Sequence, residues 1–145
     1  MSAAKAVFGR LVGRFLFTAS TVSSVSELAP RFRRIELAGP ALRGVTWTPG
    51  DKVQLFLDGE MRTYTPTRWD AERGATAFVA YVHGDGPGAA WAGAVKAGDA
   101  VSFFGPRGSV QVQRAPVVLF GDETSFAVAL ALKAAALSVR SVFEV

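Results

Sequence analysis

Arg62-Thr63-Tyr64-Thr65-Pro66 orients the reading of this 145-residue chain. It closes a run, Met61 to Thr65, with strand character. Successive side chains of a strand point to opposite faces, so Arg62 and Tyr64 share one face and Thr65 takes the other. Pro66 has no amide hydrogen and is expected to break the ladder, holding Thr65 extended. A guanidinium meets phosphate oxygens as a two-pronged fork, and a phenol ring stacks on a flat conjugated ring. Side by side at a strand's end, the pair suits a flavin nucleotide. The plainer reading of the same residues is an ordinary edge strand with an exposed Arg and a half-buried Tyr.

Upstream and downstream, β-rich segments recur at short spacing, each closed by turn residues. Phe15 to Val25 is rich in Thr, Ser and Val. Arg33 to Ala38 alternates, with Ile35 and Leu37 on one side. After the Thr48-Pro49-Gly50-Asp51 turn, Val53, Leu55 and Leu57 face one way. Met61 to Thr65, Ala75 to Val82 and Val101 to Phe104 complete a set of six strands. The expectation is a mainly β fold: a six-stranded antiparallel Greek-key barrel over residues 15–114.

Two segments depart from this pattern. Pro87 to Lys96 is alanine-rich and opens with proline at the first helical position, which predicts one helix inserted between strands. Beyond Pro116 the apolar run Val117–Phe120, the alanine-rich Thr124–Leu137 and the apolar Val139–Val145 read as strand, helix, strand. That predicts a parallel pair, the incomplete start of an α/β nucleotide-binding domain over 115–145.

The second chemical element is His83-Gly84-Asp85-Gly86-Pro87-Gly88-Ala89-Ala90-Trp91, a glycine-rich loop running into the inserted helix. Free amides at a helix start form an anion site, and glycine lets a phosphate come close. A tight strand-to-helix turn explains the same residues, and His83 reads equally as a structural histidine. A third element, Gly105-Pro106-Arg107-Gly108, is expected as a turn after the last barrel strand. Gly121-Asp122-Glu123-Thr124 follows a parallel strand, where ligands of α/β sheets bind. Thr124 is alternatively the helix N-cap.

Composition narrows the chemistry. Half of the residues are apolar and 19% are charged, a globular balance. With no cysteine and one histidine, disulfides, thiolate metal sites and multi-histidine clusters are excluded, and no protein-held metal is expected. The net charge of +4 permits an anionic partner. Nucleic acid is not expected, because the aromatics are not interleaved with Lys and Arg on one strand surface. Lys5, Arg10 and Arg14 precede the first acid, Glu27, and make residues 1–14 a short basic lead-in. Arg10 and Arg14 interrupt its apolar residues, so neither a signal sequence nor a membrane span is expected, and the protein is expected in the cytoplasm.

In order along the chain, Arg62-Thr63-Tyr64-Thr65, His83-Gly84-x-Gly86-Pro87 with Trp91-Ala92, Gly98-Asp99, Gly105-Pro106-Arg107-Gly108 and Gly121-Asp122-Glu123-Thr124 resemble the siderophore-interacting proteins. These are FAD-dependent ferric-siderophore reductases of the ferredoxin-reductase-like superfamily. The resemblance implies that Arg62 holds the FAD pyrophosphate, Tyr64 packs on the isoalloxazine and Thr65 hydrogen-bonds near its reactive N5, the last two forming the catalytic pair. Thr63, His83, Gly84, Gly86, Pro87, Gly88, Ala89, Ala90 and Trp91 complete the cofactor site, with the pyrophosphate at Gly86 to Ala90. Thr124 would lie where the nicotinamide of NAD(P)H approaches. The implied partner is a ferric siderophore or other ferric chelate, handled by a monomer or by a dimer that completes the C-terminal sheet. Two departures stand out: Ala89 where the family often has serine, and Ala127 where proline is common. The end at Val145 is read as truncation, which leaves FAD better supported than NAD(P)H.

Overall fold

The structure is a computed structural model describing residues 17–145; the lead-in over 1–14, with Phe15 and Leu16, lies outside the described residues. One antiparallel sheet comprises β1 (Thr18–Ala29), β2 (Phe32–Ala38), β3 (Lys52–Leu57), β4 (Glu60–Tyr64), β5 (Pro66–Asp70), β6 (Ala75–Tyr81) and β7 (Ala100–Arg107). The strand order is β4-β3-β7-β1-β2-β6-β5. The sheet thus has seven strands where the sequence predicts six.

The additional strand is β5, and it begins at the residue expected to end the ladder. Proline is tolerated at the first position of an edge strand, where no amide hydrogen is required, and β5 is an edge. Side chains then fasten it. Pro66 is buried, Trp69 packs edge-on against Phe103 at 6.1 Å, and its indole N–H donates to the Leu42 carbonyl at 3.2 Å. A second correction concerns Gly105-Pro106-Arg107. They form the end of β7, where Arg107 pairs with Lys52 beyond an irregularity in the ladder, and are not a turn after it.

The core is built from the alternating positions read in the sequence. Ile35 and Leu37 of β2, Val53, Leu55 and Leu57 of β3, and Phe78 of β6 all point inward and are buried. Curvature follows from connectivity. The edges β4 and β5 are consecutive in the chain with Thr65 alone between them, so the sheet must curl until its edges meet. Tyr64 of β4 reaches Phe78 of β6 across the gap, ring centroids 4.8 Å apart. Among the described residues no backbone ladder joins β4 to β5, so the barrel-like Greek-key sheet is closed by one residue of chain and by ring packing.

The hairpin that presents β4 is equally specific. Asp58 and Gly59 both adopt positive φ (46° and 87°), as a two-residue turn of the mirror-image type requires. The turn pairs Leu57 with Glu60 and sets the register that places Arg62 opposite Leu55 and Tyr64 opposite Val53.

Helix α1 (Pro87–Ala94) has proline at its start, and it stops short of Lys96. It inserts Ala92 into the core, with Val95 just beyond its end. Its C-terminus is held from β2: the Arg33 guanidinium donates to the carbonyls of Ala92 and, at 3.4 Å, Val95. A cation there satisfies orphan carbonyls and the negative end of the helix dipole.

After β7 the pairing changes. β8 (Val117–Gly121) and β9 (Val139–Phe143) form a parallel pair joined by α2 (Phe126–Ala134), the strand-helix-strand unit read from the sequence. Helix α2 buries Ala127, Ala129, Ala131 and Leu132. Phe126 stacks on Phe32 of the barrel (5.2 Å, 6°) and meets Phe143 edge-on at 4.4 Å. An aromatic row therefore joins the parallel unit to the barrel.

Replacing Arg33 by Ala is expected to lower stability by about 1–2 kcal/mol, the range for charge-assisted hydrogen bonds. Amide exchange in residues 87–94 should quicken more than in β2 and β6, which hydrogen-exchange mass spectrometry reads directly.

Candidate functional site

One cleft of about 520 Å³ gathers residues from four separate elements. Arg62, Thr63, Tyr64 and Thr65 line it from β4 and the link beyond, and His83, Gly84, Gly86, Gly88 and Ala89 from the loop into α1. Thr124 and Ala127 line it from the parallel unit, and Val79 and Tyr81 from β6. Three expected site residues are not in its wall. Trp91 turns toward the core and packs with Tyr64 and Phe78 at 5.7 and 6.1 Å. Ala90 is exposed and Pro87 half-buried, and neither faces the cleft. The helix rotates successive residues by about 100°, so a continuous sequence motif cannot stay on one wall.

Val79, Tyr81 and Ala127 also line the cleft, although no motif in the sequence puts them forward. The first two carried a signal: stepping back in twos along β6 from His83 gives Tyr81 and then Val79. Ala127 stands out in the sequence only as a departure from a family pattern.

Arg62 is the cation of the cleft. Its Nη2 pairs with Glu60 and its Nη1 donates to the Met61 carbonyl at 3.2 Å. A Cβ placed on Gly88 would stand 3.4 Å from both Arg62 Cγ and Tyr64 Oη, an ordinary contact distance, so the loop runs beside both side chains. Tyr64 Oη donates to the Gly88 carbonyl at 3.4 Å. Burial pushes the Tyr64 phenol up to about 12, against a smaller downward pull from Arg62. The phenol is therefore neutral across the physiological range.

The start of α1 fits an anion. Gly86 stands at the N-cap and offers no side-chain hydrogen bond, so the first amides of the helix have no capping partner from it. With Arg62 against the same loop, the donor set matches a phosphate or pyrophosphate. Cleft size also fits, since small-molecule and cofactor sites occupy roughly 300–1,000 Å³.

His83, also in the lining, is exposed and stacks on Tyr81 (5.0 Å, 18°), which stacks on Phe32 (4.8 Å, 27°). Tyr81 Oη lies 3.4 Å from Glu123 Oε1. Thr124 is not the N-cap of α2. It sits in the short 3₁₀ turn Glu123–Ser125, whose N-cap is Asp122, and its amide donates to Asp122 Oδ1 at 2.9 Å. These bonds from the Thr124 hydroxyl and amide, aided by nearby His83, hold the Asp122 carboxyl below its ordinary range. Two further arginines downstream of the Arg62 motif, Arg68 and Arg73, are paired with Glu36 (3.0 Å) and Asp70 (3.8 Å).

Residues 58–110 match the siderophore-interacting FAD-binding domain family. The motifs above resemble the same family. A siderophore utilization protein from T. fusca is 28% identical, with a TM-score of 0.74 over 88% of this chain and 60% of its own. The siderophore-interacting protein SipS from Aeromonas hydrophila is 23% identical, with a TM-score of 0.73 over 88% and 58%. A ferredoxin NADP+ reductase from Neisseria gonorrhoeae, solved with bound FAD and NADP, is 18% identical, with a TM-score of 0.69 over 89% and 57%. The last of these shows the ferredoxin-reductase-like fold. The chain spans about 60% of the length of the siderophore protein from T. fusca. No curated protein matches it. Among the described residues no helix is long and apolar enough to cross a membrane.

The raised Tyr64 value has a thermodynamic consequence. The neutral phenol is favoured in the fold and ionises near pH 10 in the unfolded chain, so its contribution is complete below pH 10 and is lost as the pH rises toward 12. Urea unfolding from pH 9 to 12 should show up to about 2 kcal/mol of loss attributable to this group, and Tyr64→Phe should lack that component.

Proposed function

We propose that the chain binds FAD in this cleft and is the flavin-holding part of an oxidoreductase passing electrons from NAD(P)H to a ferric siderophore or similar ferric chelate. The supporting observation is convergence: Arg62, Tyr64 and Thr65, the 83–89 loop and Thr124 come from distant stretches of chain and line one cleft. The match of residues 58–110 to an FAD-binding family supports the same ligand.

In this reading Arg62 and the uncapped amides at the start of α1 hold the pyrophosphate. Tyr64, neutral and braced against Phe78, offers a ring edge and face to the isoalloxazine. Thr65, held extended between two strands, directs its polar groups to the rim of the ring. Thr63, His83 and Gly84 line the remainder, and Thr124 stands on the side from which a nicotinamide would approach. A bound flavin supplies the capacity to accept a hydride and release electrons singly. Reduction to Fe(II) then weakens the hold of hard oxygen ligands on the metal. The excess of basic residues suits an anionic chelate. A cytoplasmic monomer, or a dimer completing the C-terminal sheet, is part of the proposal.

A second reading, a flavin-binding module that relies on a partner for the nucleotide half, is favoured by the outer face of the parallel pair. Val118, Phe120 and Val142 there are 56%, 72% and 55% exposed.

Purified protein should show a visible flavin spectrum that bleaches on anaerobic addition of NADPH. A flavin spectrum that does not bleach would leave only the module reading, and a colourless protein that fails to take up FAD would defeat both. Arg62→Ala should weaken FAD binding at least about tenfold, the loss expected of a charge-assisted contact, and more than Ala at any other arginine.

A further inference from the structure

The cation of the cleft already has a partner. Arg62 and Glu60 lie two apart on β4, hence on one face of the strand, and Arg62 Nη2 pairs with Glu60 Oε2. Glu60 itself is not in the cleft wall and is about half exposed, at the hairpin end of β4. A guanidinium binds an anion through two parallel N–H groups along one of two edges, Nε/Nη2 or Nη1/Nη2. Both edges run through the nitrogen that Glu60 engages, and Nη1 also donates to the Met61 carbonyl. Each edge uses a different N–H of that nitrogen, so a two-pronged grip on a phosphate either displaces Glu60 from its edge or sits beside its carboxylate on the other. The stem of Arg62 runs beside Gly88.

We propose that Glu60 is an internal competitor for the Arg62 fork, a specificity-determining residue that lowers affinity for the phosphate-bearing part of a ligand and not for its planar ring. The identity of that ligand rests on the flavin reading above, whereas the competition itself concerns any phosphate or pyrophosphate at the cleft. Both Arg62 and Glu60 are exposed to solvent, so the effect is modest. Exposed carboxylate–guanidinium pairs correspond to about a fivefold change in a binding constant at most. Its direction is definite: removing the carboxylate charge tightens binding.

The test uses the full chain and three probes: FAD, riboflavin, which has the ring without phosphate, and inorganic pyrophosphate, which has the anion without the ring. Calorimetric or fluorescence titrations of wild type and Glu60→Gln should show FAD and pyrophosphate bound about threefold more tightly by the variant, with riboflavin unchanged. In an Arg62→Ala background, Glu60→Gln should change nothing, because there is no fork left to compete for. Unchanged or weaker FAD and pyrophosphate binding in Glu60→Gln overturns the proposal, as does an equal gain for riboflavin or a gain that survives Arg62→Ala. If neither protein binds FAD yet pyrophosphate binding tightens in the variant, the flavin reading fails and the competition stands. If FAD binds equally to both, the reverse holds.

Discussion

The site depends on one short covalent constraint. Strands β4 and β5 occupy opposite edges of a seven-stranded sheet, yet only Thr65 separates them in the chain. A flat sheet of that width cannot satisfy a one-residue connection, because neighbouring strands alone are nearly 5 Å apart. The sheet must roll up, and its two edges come together at Thr65. Arg62 and Tyr64, at the end of one edge, are thereby brought against Phe78 on β6 and against the loop that enters α1.

Other features reinforce that closure. The two-residue turn at Asp58 and Gly59 fixes the register of β4, and a slip of one residue would exchange the faces of Arg62 and Tyr64 with those of Met61 and Thr63. Arg33 and Tyr64 hold α1 from both sides, through its last carbonyls and through Gly88. The row of rings from His83 through Tyr81, Phe32 and Phe126 to Phe143 ties the parallel unit to the barrel beside the cleft. Thr124 reaches the cleft because that row sets where the unit sits.

Charge around the cleft is of both signs. Arg62 and the uncapped helix start make the cleft receptive to anions, while Asp122 and Glu123, outside its lining, put carboxylates next to Thr124. Arg68 is paired with Glu36. Even Arg62 has Glu60 beside it, so anion binding here is an exchange of partners for the guanidinium and not the capture of a free one.

The sequence alone determined the local grammar. Alternation placed Ile35, Leu37, Val53 and Leu55 inward, proline marked the start of α1, and unbroken apolar runs announced β8 and β9, because each signal is carried by neighbours a few residues apart. It also put Arg62, Tyr64, Thr65, His83 and Gly88 forward as candidates from their chemistry. It did not give β5, since a leading proline suppresses the strand signal while burial of Pro66 and the anchoring of Trp69 restore the strand. Nor did it separate Trp91 from Ala89, Tyr81 from the core, or Thr124 from Asp122 as the cap. Those outcomes depend on which face each element presents after the sheet has rolled. That is set by contacts such as Tyr64 with Phe78 and Phe32 with Phe126, which join residues far apart in the chain and exist only in the folded molecule.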